Sequence, residues 1–218
     1  MEKYILFDLD GTVTDPETGI TLSVAYALKH FGIEVDDVSS LRKFIGPPLH
    51  DSFIDFYCFS KEKAMDAVDK YRERFAVTGI FENEPYEGIH QLLADLKDAG
   101  YTLAIASSKP EVFTKRIIEH FDLSSYFTEV CGSELDGQRT DKAEVKTYAL
   151  EKLGSPAPEN VVMVGDRKHD ILGAKKNGLT SIGVLYGFGD EAELREAGAD
   201  YIAATVNDIG CIISDIFR

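Results

Sequence analysis

The chain of 218 residues is 44% apolar and 28% charged, a globular composition that excludes a disordered or fibrous protein and is sufficient for a substantial core. A formal net charge of -15 would repel nucleic acid and anionic membrane surfaces, so neither is expected as a partner. No apolar run approaches the ~20 residues needed to cross a bilayer, and the N-terminal residues lack the features of a signal peptide, so we expect a cytoplasmic protein.

The first predicted element is a buried strand over residues 3–7, which ends abruptly at a polar turn beginning with Asp8. From about residue 19 to residue 81, apolar residues recur at helical spacing without a convincing strand, and helices are predicted over 49–57 and 61–75. We interpret residues 16–82 as an inserted, all-helical cap domain, which leaves residues 1–15 and 83–218 as the core.

The remainder of the chain alternates short apolar runs with helical patterns. Strands are predicted over 101–106, 127–131, 161–164, 181–185 and 201–203, and one helix is predicted to begin at Asp190 with Glu193 as a capping-box-like partner. Such alternation requires crossover connections, which favour a parallel sheet with helices on both faces. The predicted fold is therefore α/β, a Rossmann-like, doubly wound parallel sheet with the helical cap inserted. Ligands of such sheets bind beyond the carboxyl ends of the strands.

Two aspartates, Asp8 and Asp10, follow the first predicted strand and are separated by one residue. In an extended backbone their side chains point to the same side, so one carboxylate could attack a phosphate while the other handles a proton. Gly11 allows close backbone approach, and the turn amides of Gly11 and Thr12 are candidate donors to phosphate oxygens. The pattern favours phosphoryl transfer through an aspartyl-phosphate.

An attacking carboxylate and a phosphate repel each other, so this chemistry needs a cation. Magnesium prefers oxygen ligands and is often held by one or two carboxylates together with waters and phosphate. Asp166 follows another predicted strand, and Asp170 lies one helical turn further on. We predict a magnesium site formed by Asp8, Asp10, Asp166 and Asp170.

The phosphate itself requires further donors. Ser107 and Ser108 follow the predicted strand over 101–106, and Lys142 precedes a predicted helix, where its ammonium group could contact phosphate. Lys109 competes with Lys142 for this role. Simpler interpretations exist: the aspartates could be a polar turn or helix caps, Ser107 could cap a helix, and Lys142 could be a solvated charge.

Other residue types give no functional signal. The cysteines Cys58, Cys131 and Cys211 form no C-x-x-C pair, and the five histidines show no metal-ligand spacing. We therefore predict neither a disulfide framework nor a zinc site.

In order and spacing, these residues resemble the four motifs of the haloacid dehalogenase-like hydrolase superfamily. The resemblance covers nearly the whole chain and includes Asp8-Leu9-Asp10-Gly11-Thr12, Ser107, Lys142, and Gly165-Asp166 with Asp170. It implies a Rossmann-like core with a helical cap inserted after the first motif.

The resemblance also implies roles for individual residues. Asp8 is similar to the nucleophile and metal ligand, and Asp10 to the general acid and base, with its backbone carbonyl on the metal. Ser107 and Lys142 are similar to the phosphate binders, and Asp166 to a further metal ligand that Asp170 supports. The dehalogenase branch lacks an acid at the position of Asp10, so its presence favours a phosphatase.

Within the superfamily, residues 44–49 and 183–187 look like those of the phosphoglycolate phosphatase and bacterial 5'-nucleotidase group. One departure is Ala143, since a phosphoglycolate phosphatase usually has proline after the motif lysine. Substrate choice in this group belongs to the cap. Candidate contacts for the rest of the substrate are therefore Arg42, Gly46 and Pro47.

The sequence thus predicts a magnesium-dependent phosphomonoesterase acting on a small phosphorylated metabolite, with phosphoglycolate and nucleoside 5'-monophosphates as first candidates. Two alternatives stay open at this point: a sugar phosphomutase of the β-phosphoglucomutase type, and a non-catalytic module that binds a phosphorylated metabolite. We expect a monomer, with a dimer as the alternative.

Overall fold

The computed structural model of the protein describes residues 2–136, 138–139 and 141–218. The chain divides into two compact units. The first comprises Met1–Asp15 and Pro85–Arg218, and the second comprises Pro16–Glu84. In the described part of the chain, no helix is both long and apolar enough to span a membrane.

A six-stranded parallel sheet forms the centre of the first unit, with strand order β5-β4-β1-β6-β7-β8. Its strands are β1 (Tyr4–Phe7), β4 (Thr102–Pro110), β5 (Phe127–Ser133), β6 (Val161–Gly165), β7 (Thr180–Val184) and β8 (Tyr201–Ala203). Two further short strands are β2 (Thr14–Asp15) and β3 (Glu84–Pro85). The central strands β1 and β6 are almost continuously apolar and buried, as expected for strands covered on both faces.

Helices connect the parallel strands of the first unit, and a final helix follows the last strand. They are α4 (Ile89–Asp98), α5 (Glu111–His120), α6 (Lys142–Lys152), α7 (Lys168–Lys176), α8 (Glu191–Ala197) and α9 (Val206–Ile216), with a 3-10 helix at Pro158–Asn160. Helix α6 begins where the Asp141 side chain accepts a hydrogen bond from the Ala143 amide at 2.7 Å, which satisfies an otherwise unpaired donor. This cap fixes Lys142 as the first residue of the helix.

The second unit is helical. Its helices are α1 (Glu17–His30), α2 (Leu49–Tyr57) and α3 (Lys61–Phe75), with 3-10 helices at Val38–Phe44 and Gly79–Phe81. Helix α3 packs against both α1 and α2. Its Ser60 N-cap accepts a hydrogen bond from the Lys63 amide at 3.2 Å. Buried aromatic rings, among them Phe44 and Phe53 with ring centroids 5.1 Å apart, fill the space between these elements.

The predicted α/β fold class is confirmed, and the helices predicted over 49–57 and 61–75 coincide with α2 and α3. The largest error in a strand boundary concerns β4, which does not end at residue 106 but continues to Pro110, while β5 continues two residues beyond its predicted end to Ser133. Ser107 therefore lies within a strand rather than after it. Asp190 caps α8 by accepting from the Glu193 amide at 2.8 Å, but the Glu193 side chain binds Arg167 instead of completing a capping box.

Candidate active site

The predicted site residues of the first unit gather at the carboxyl ends of three adjacent strands. Asp8 directly follows β1, Ser107 lies in the second half of β4, and Asp166 follows β6. Strand β1 lies between β4 and β6. The chain runs from β1 to β4 and β5 on one side, and then crosses to β6, β7 and β8 on the other side. This switch point is where doubly wound sheets open a crevice for ligands.

Three buried carboxylates form the centre of this site. Asp8, Asp166 and Asp170 each offer one oxygen, and these oxygens lie within 4.8 Å of one another. Asp8 Oδ1, Asp166 Oδ1 and Asp170 Oδ2 are buried and have no hydrogen-bond partner among the residues that the structure describes. Buried polar atoms are normally paired, and hard oxygen donors are the ligands of magnesium. The residues present therefore fit a divalent cation.

Glycines make the close approach of these carboxylates possible. A Cβ atom at Gly11 would overlap the Asp166 carboxylate, and one at Gly165 would overlap Asp170. Gly11 also has a φ of 81°, a backbone conformation that favours glycine. The small residues therefore leave the space in which the acidic side chains converge.

Two lysines on one face of α6 balance this negative charge. Lys142 Nζ contacts Asp8 Oδ2 and lies 2.9 Å from Asp170 Oδ1. Lys146, one helical turn further along, is completely buried, and its Nζ lies 3.3 Å from the same Asp170 oxygen. Asp170 Oδ1 therefore accepts from both ammonium groups, while its Oδ2 has neither as a partner.

Burial shifts the proton affinities of these groups in different directions. Burial, followed by repulsion from Asp170, raises the pKa of both Asp8 and Asp166. Burial alone would also raise the pKa of Asp170, but Lys142 and Lys146 outweigh it and hold that pKa below its usual value. Burial lowers the pKa of Lys146, whereas the carboxylates raise the pKa of Lys142 despite its burial. Asp8 and Asp166 are thus the carboxylates whose ionised forms a bound cation would stabilise most.

Asp10 is held by a lysine that the sequence assigned only as a competitor of Lys142. Lys109 Nζ lies 2.7 Å from Asp10 Oδ1, and the Asp10 side chain keeps 12% of its surface exposed. Ser107 lies near Asp8, and its side chain acts to lower the pKa of that carboxyl group against the larger effect of burial. Lys109 and Lys142 therefore do not exclude each other, because each ammonium group contacts a different aspartate of the Asp8–Asp10 pair.

The backbone amides of Gly11 and Thr12, which the sequence predicted as phosphate donors, already donate hydrogen bonds to backbone carbonyls nearby in the chain. The Gly11 amide donates to the Thr14 carbonyl at 2.8 Å, and the Thr12 amide donates to the Leu9 carbonyl at 3.2 Å. This geometry does not leave either amide available to a phosphate oxygen, contrary to the sequence expectation. The Thr12 hydroxyl, by contrast, is buried and lacks a hydrogen-bond partner in the described part of the chain. Ser108 presents its backbone carbonyl to the Ser133 hydroxyl at 2.8 Å.

A loop after β7 closes over Asp166. The Phe188 amide donates to Asp166 Oδ2 at 2.8 Å, which leaves Oδ1 for another partner. The Tyr186 hydroxyl donates to the Thr12 carbonyl at 2.8 Å and so ties this loop to the turn after β1. A Cβ atom at Gly187 would overlap both the Gly11 carbonyl and the Asp166 side chain. The loop can follow this path only because that position is glycine.

The three substrate-contact candidates lie in the helical unit. Arg42 belongs to the 3-10 helix Val38–Phe44 and its Nε donates to Glu17 Oε1 at 2.6 Å. Gly46 has a φ of 101°, and Pro47 follows it in the segment before α2. Their role in substrate binding stays a prediction.

Three features of the site were missed from the sequence. Lys146 had a readable signal, since it lies four residues after Lys142 and therefore on the same helix face. Lys109 had been named, but not as a partner of Asp10. The Phe188 amide had no sequence signal, because a backbone donor carries no residue-type information.

Comparison with known proteins identifies the family of this chain. Residues 5–184 match the family model described as haloacid dehalogenase-like hydrolase. A protein of Pseudomonas aeruginosa named 5'-nucleotidase is 51% identical over 191 residues, which cover 88% of this chain and 86% of that protein. A protein of Mycobacterium tuberculosis named tyrosine-protein kinase PtkA is 37% identical, covering 95% of this chain and 71% of that one.

Solved structures are similar as well. A crystal structure described as a predicted phosphatase from Clostridium acetobutylicum superposes with a TM-score of 0.95 at 50% identity and covers 99% of both chains. Similarity at this level extends beyond the sheet to the whole fold.

Asp166→Asn is expected to stabilise the metal-free protein at neutral pH. The folded pKa of Asp166 lies above its unfolded value, so the folded state holds this proton more tightly and loses stability relative to the unfolded state as pH rises. The amide removes that penalty while it can still accept from Phe188. We expect a rise of a few °C, since about 1 kcal/mol shifts Tm by roughly 2–4 °C in a domain of this size.

Thermal unfolding without divalent ions, measured between pH 4 and pH 8, tests this expectation. The difference between variant and wild type should grow with pH from near zero at the acid end. Asp98→Asn, an exposed carboxylate on α4, is the control and should leave Tm nearly unchanged. A lower Tm for Asp166→Asn at neutral pH would contradict the inferred repulsion.

Proposed function

Because this chain belongs to the haloacid dehalogenase-like hydrolase family, we propose that it is a magnesium-dependent phosphomonoesterase that forms an aspartyl-phosphate on Asp8. The observation that carries the proposal is the set of unpaired oxygens on Asp8, Asp166 and Asp170 beside the ammonium group of Lys142. A non-catalytic binding module has no need for a nucleophile, an ion site and a phosphate-binding cation in one buried cluster.

In this proposal, Asp8, Asp166 and the Asp10 backbone carbonyl hold Mg²⁺, with Asp170 in support. The ion supplies the positive charge that offsets repulsion between the Asp8 carboxylate and a phosphate dianion. Lys142, which contacts Asp8, and the nearby Ser107 hydroxyl are proposed to bind oxygens of a phosphate attached there. Thr12 contributes its unpaired hydroxyl to the same surroundings rather than its amide.

The first chemical step transfers the phosphoryl group to the protein. An oxygen of the Asp8 carboxylate attacks phosphorus, and the bond between phosphorus and the leaving-group oxygen breaks. Asp10, in its protonated form, donates its proton to that oxygen, so the alcohol leaves neutral. The products of this step are the free alcohol and the aspartyl-phosphate.

The second step returns the protein to its starting state. Asp10, now a carboxylate, accepts a proton from water as the water oxygen attacks phosphorus. The acyl–phosphate bond breaks, which releases inorganic phosphate and the Asp8 carboxylate. Lys109, 2.7 Å from Asp10 Oδ1, orients the Asp10 carboxyl group for both transfers.

A nucleoside 5'-monophosphate is the first candidate substrate, and phosphoglycolate is the second. The name 5'-nucleotidase of the 51%-identical relative supports the nucleotide, and Ala143 in place of the usual proline after Lys142 argues against phosphoglycolate. Arg42, Gly46 and Pro47 of the helical unit, proposed as the cap over residues 16–82, are proposed to contact the non-phosphate part. For the phosphomutase alternative, incubation with glucose 1-phosphate would have to give the 6-phosphate without release of phosphate.

Asp8→Asn is expected to lower phosphatase activity at least about a thousandfold, because the amide cannot form the aspartyl-phosphate. Release of p-nitrophenol from p-nitrophenyl phosphate should require added Mg²⁺ in the wild type and stop when the ion is chelated. Asp98→Asn serves as the matched control with normal activity. Undiminished turnover by Asp8→Asn would rule out Asp8 as the nucleophile.

Asp10→Asn tests the intermediate directly. Because p-nitrophenolate leaves without help from an acid, the variant should still transfer phosphate to Asp8 but lack the base for hydrolysis. Rapid mixing should therefore show a burst close to one equivalent of p-nitrophenol, followed by turnover slowed by about 10²–10⁴-fold. Slowed turnover without a burst would argue against an accumulating aspartyl-phosphate.

A panel of phosphorylated metabolites should separate the substrate classes. We expect kcat/KM for at least one nucleoside 5'-monophosphate to exceed that for phosphoglycolate by at least about tenfold. Arg42→Ala, tested beside the exposed Lys61→Ala, should raise KM for that nucleotide with little change in kcat, as expected for loss of uniform binding. Preference for phosphoglycolate, or an unchanged KM, would reject this assignment.

A further inference from the structure

Lys146 is the most unusual charged residue of the site. Its side chain is among the largest fully buried side chains of the described residues, and it is the second lysine to reach the carboxylates from α6. Burying an ammonium group costs free energy unless nearby groups compensate. Its Nζ has two acceptors within reach, Asp170 Oδ1 at 3.3 Å and the Lys142 carbonyl at 3.4 Å.

Anchoring of Asp170 does not require this second lysine. Lys142 Nζ already lies 2.9 Å from Asp170 Oδ1, closer than Lys146 Nζ does. Lys142 also contacts Asp8, so it links the nucleophile to Asp170 by itself. What Lys146 adds is a second positive charge next to three buried carboxylates.

That charge has opposite effects on the two ions that the site must bind. With Lys142 alone, the three ionised carboxylates would leave two negative charges, which favours tight retention of a divalent cation. A second ammonium leaves one negative charge, so the cation-loaded site becomes positive and attracts a phosphate dianion. Interactions between buried charges are screened weakly, so a change of one unit charge at this distance has a large effect.

We propose that Lys146 is a positioning residue that acts through Asp170: its ammonium group limits the affinity of the Asp8–Asp166–Asp170 cluster for a divalent cation and raises the affinity of the loaded site for phosphate. The inference rests on the proposed function of the cluster as a magnesium site. It assigns to Lys146 no contact with the substrate or the reacting atoms.

Lys146→Met removes the charge at similar volume, and Lys146→Gln removes the charge but keeps a hydrogen-bond donor. Binding of Mg²⁺ is measured by calorimetry on the free protein at pH 7, and binding of Mn²⁺ by the loss of the free-ion EPR signal. Both variants should bind each ion at least about tenfold more tightly than wild type, equivalent to about 1.4 kcal/mol. Inorganic phosphate should bind the Mg²⁺-loaded variants several-fold more weakly.

The matched control is Lys152→Met, which removes one exposed lysine from the other end of α6. It should leave ion binding, phosphate binding and activity unchanged. Because ion binding is measured without substrate, the result does not depend on turnover. If the wild type itself failed to bind Mg²⁺, both proposals would fall, whereas wild-type binding that Lys146 variants leave unchanged would overturn this one alone.

A purely structural role for Lys146 predicts a different outcome. The variants would then lose thermal stability while their ion affinity stayed the same or weakened, and that result would overturn the proposal. A change in Lys146→Met but not in Lys146→Gln would assign the effect to the hydrogen bond rather than the charge, and would also overturn it. If a variant is only marginally folded, the rise in Tm on adding Mg²⁺ replaces calorimetry: it should exceed the wild-type rise, and an equal or smaller rise contradicts the proposal.

Discussion

The sheet unit depends on one interaction, the mutual repulsion among the carboxylates of Asp8, Asp166 and Asp170. These groups are buried, and one oxygen of each lies within 4.8 Å of the others. Three like charges in a poorly solvated space are unfavourable unless cations compensate them. Lys142 and Lys146 provide part of that compensation from one face of α6, and an ion would provide the rest. Repulsion of this kind favours the binding of a cation among the three carboxylates.

The backbone around the cluster is shaped to allow this crowding. Gly11 and Gly165 are two of the positions where a Cβ atom would enter the space of a carboxylate. A third glycine, Gly187, lets the loop after β7 bring the Phe188 amide to Asp166. The carboxylates can therefore come together because these three positions carry no side chain. Each of these glycines lies next to a residue with a proposed chemical role.

Much of this arrangement was predictable from the sequence, because strand ends are marked by abrupt changes from apolar to polar residues. The changes at Asp8 and at Asp166 placed both carboxylates at one sheet edge, and Lys142 at a predicted helix start proved to lie beside them. The misplaced end of β4 has a physical cause: the serines after Ala106 look like a loop, yet their backbone continues in the sheet. Lys146 was overlooked because a lysine is ordinarily solvated, and burial of a charge is decided by tertiary contacts. Whether the Gly11 and Thr12 amides are available depends on the exact turn, which residue types do not determine.

The register of the central strands has a consequence for biosynthesis. Tyr4 of β1 pairs with Val161 of β6, 157 residues later, and the whole helical unit is encoded between them. At a ribosomal speed of roughly 5–20 residues per second, the first strand waits on the order of ten to thirty seconds for this neighbour to emerge. During that interval the apolar strand has an unpaired edge, which is a hazard for association with other nascent chains. Charges beside an apolar segment disfavour such association, and Asp8 and Asp10 lie directly after this strand in the sequence.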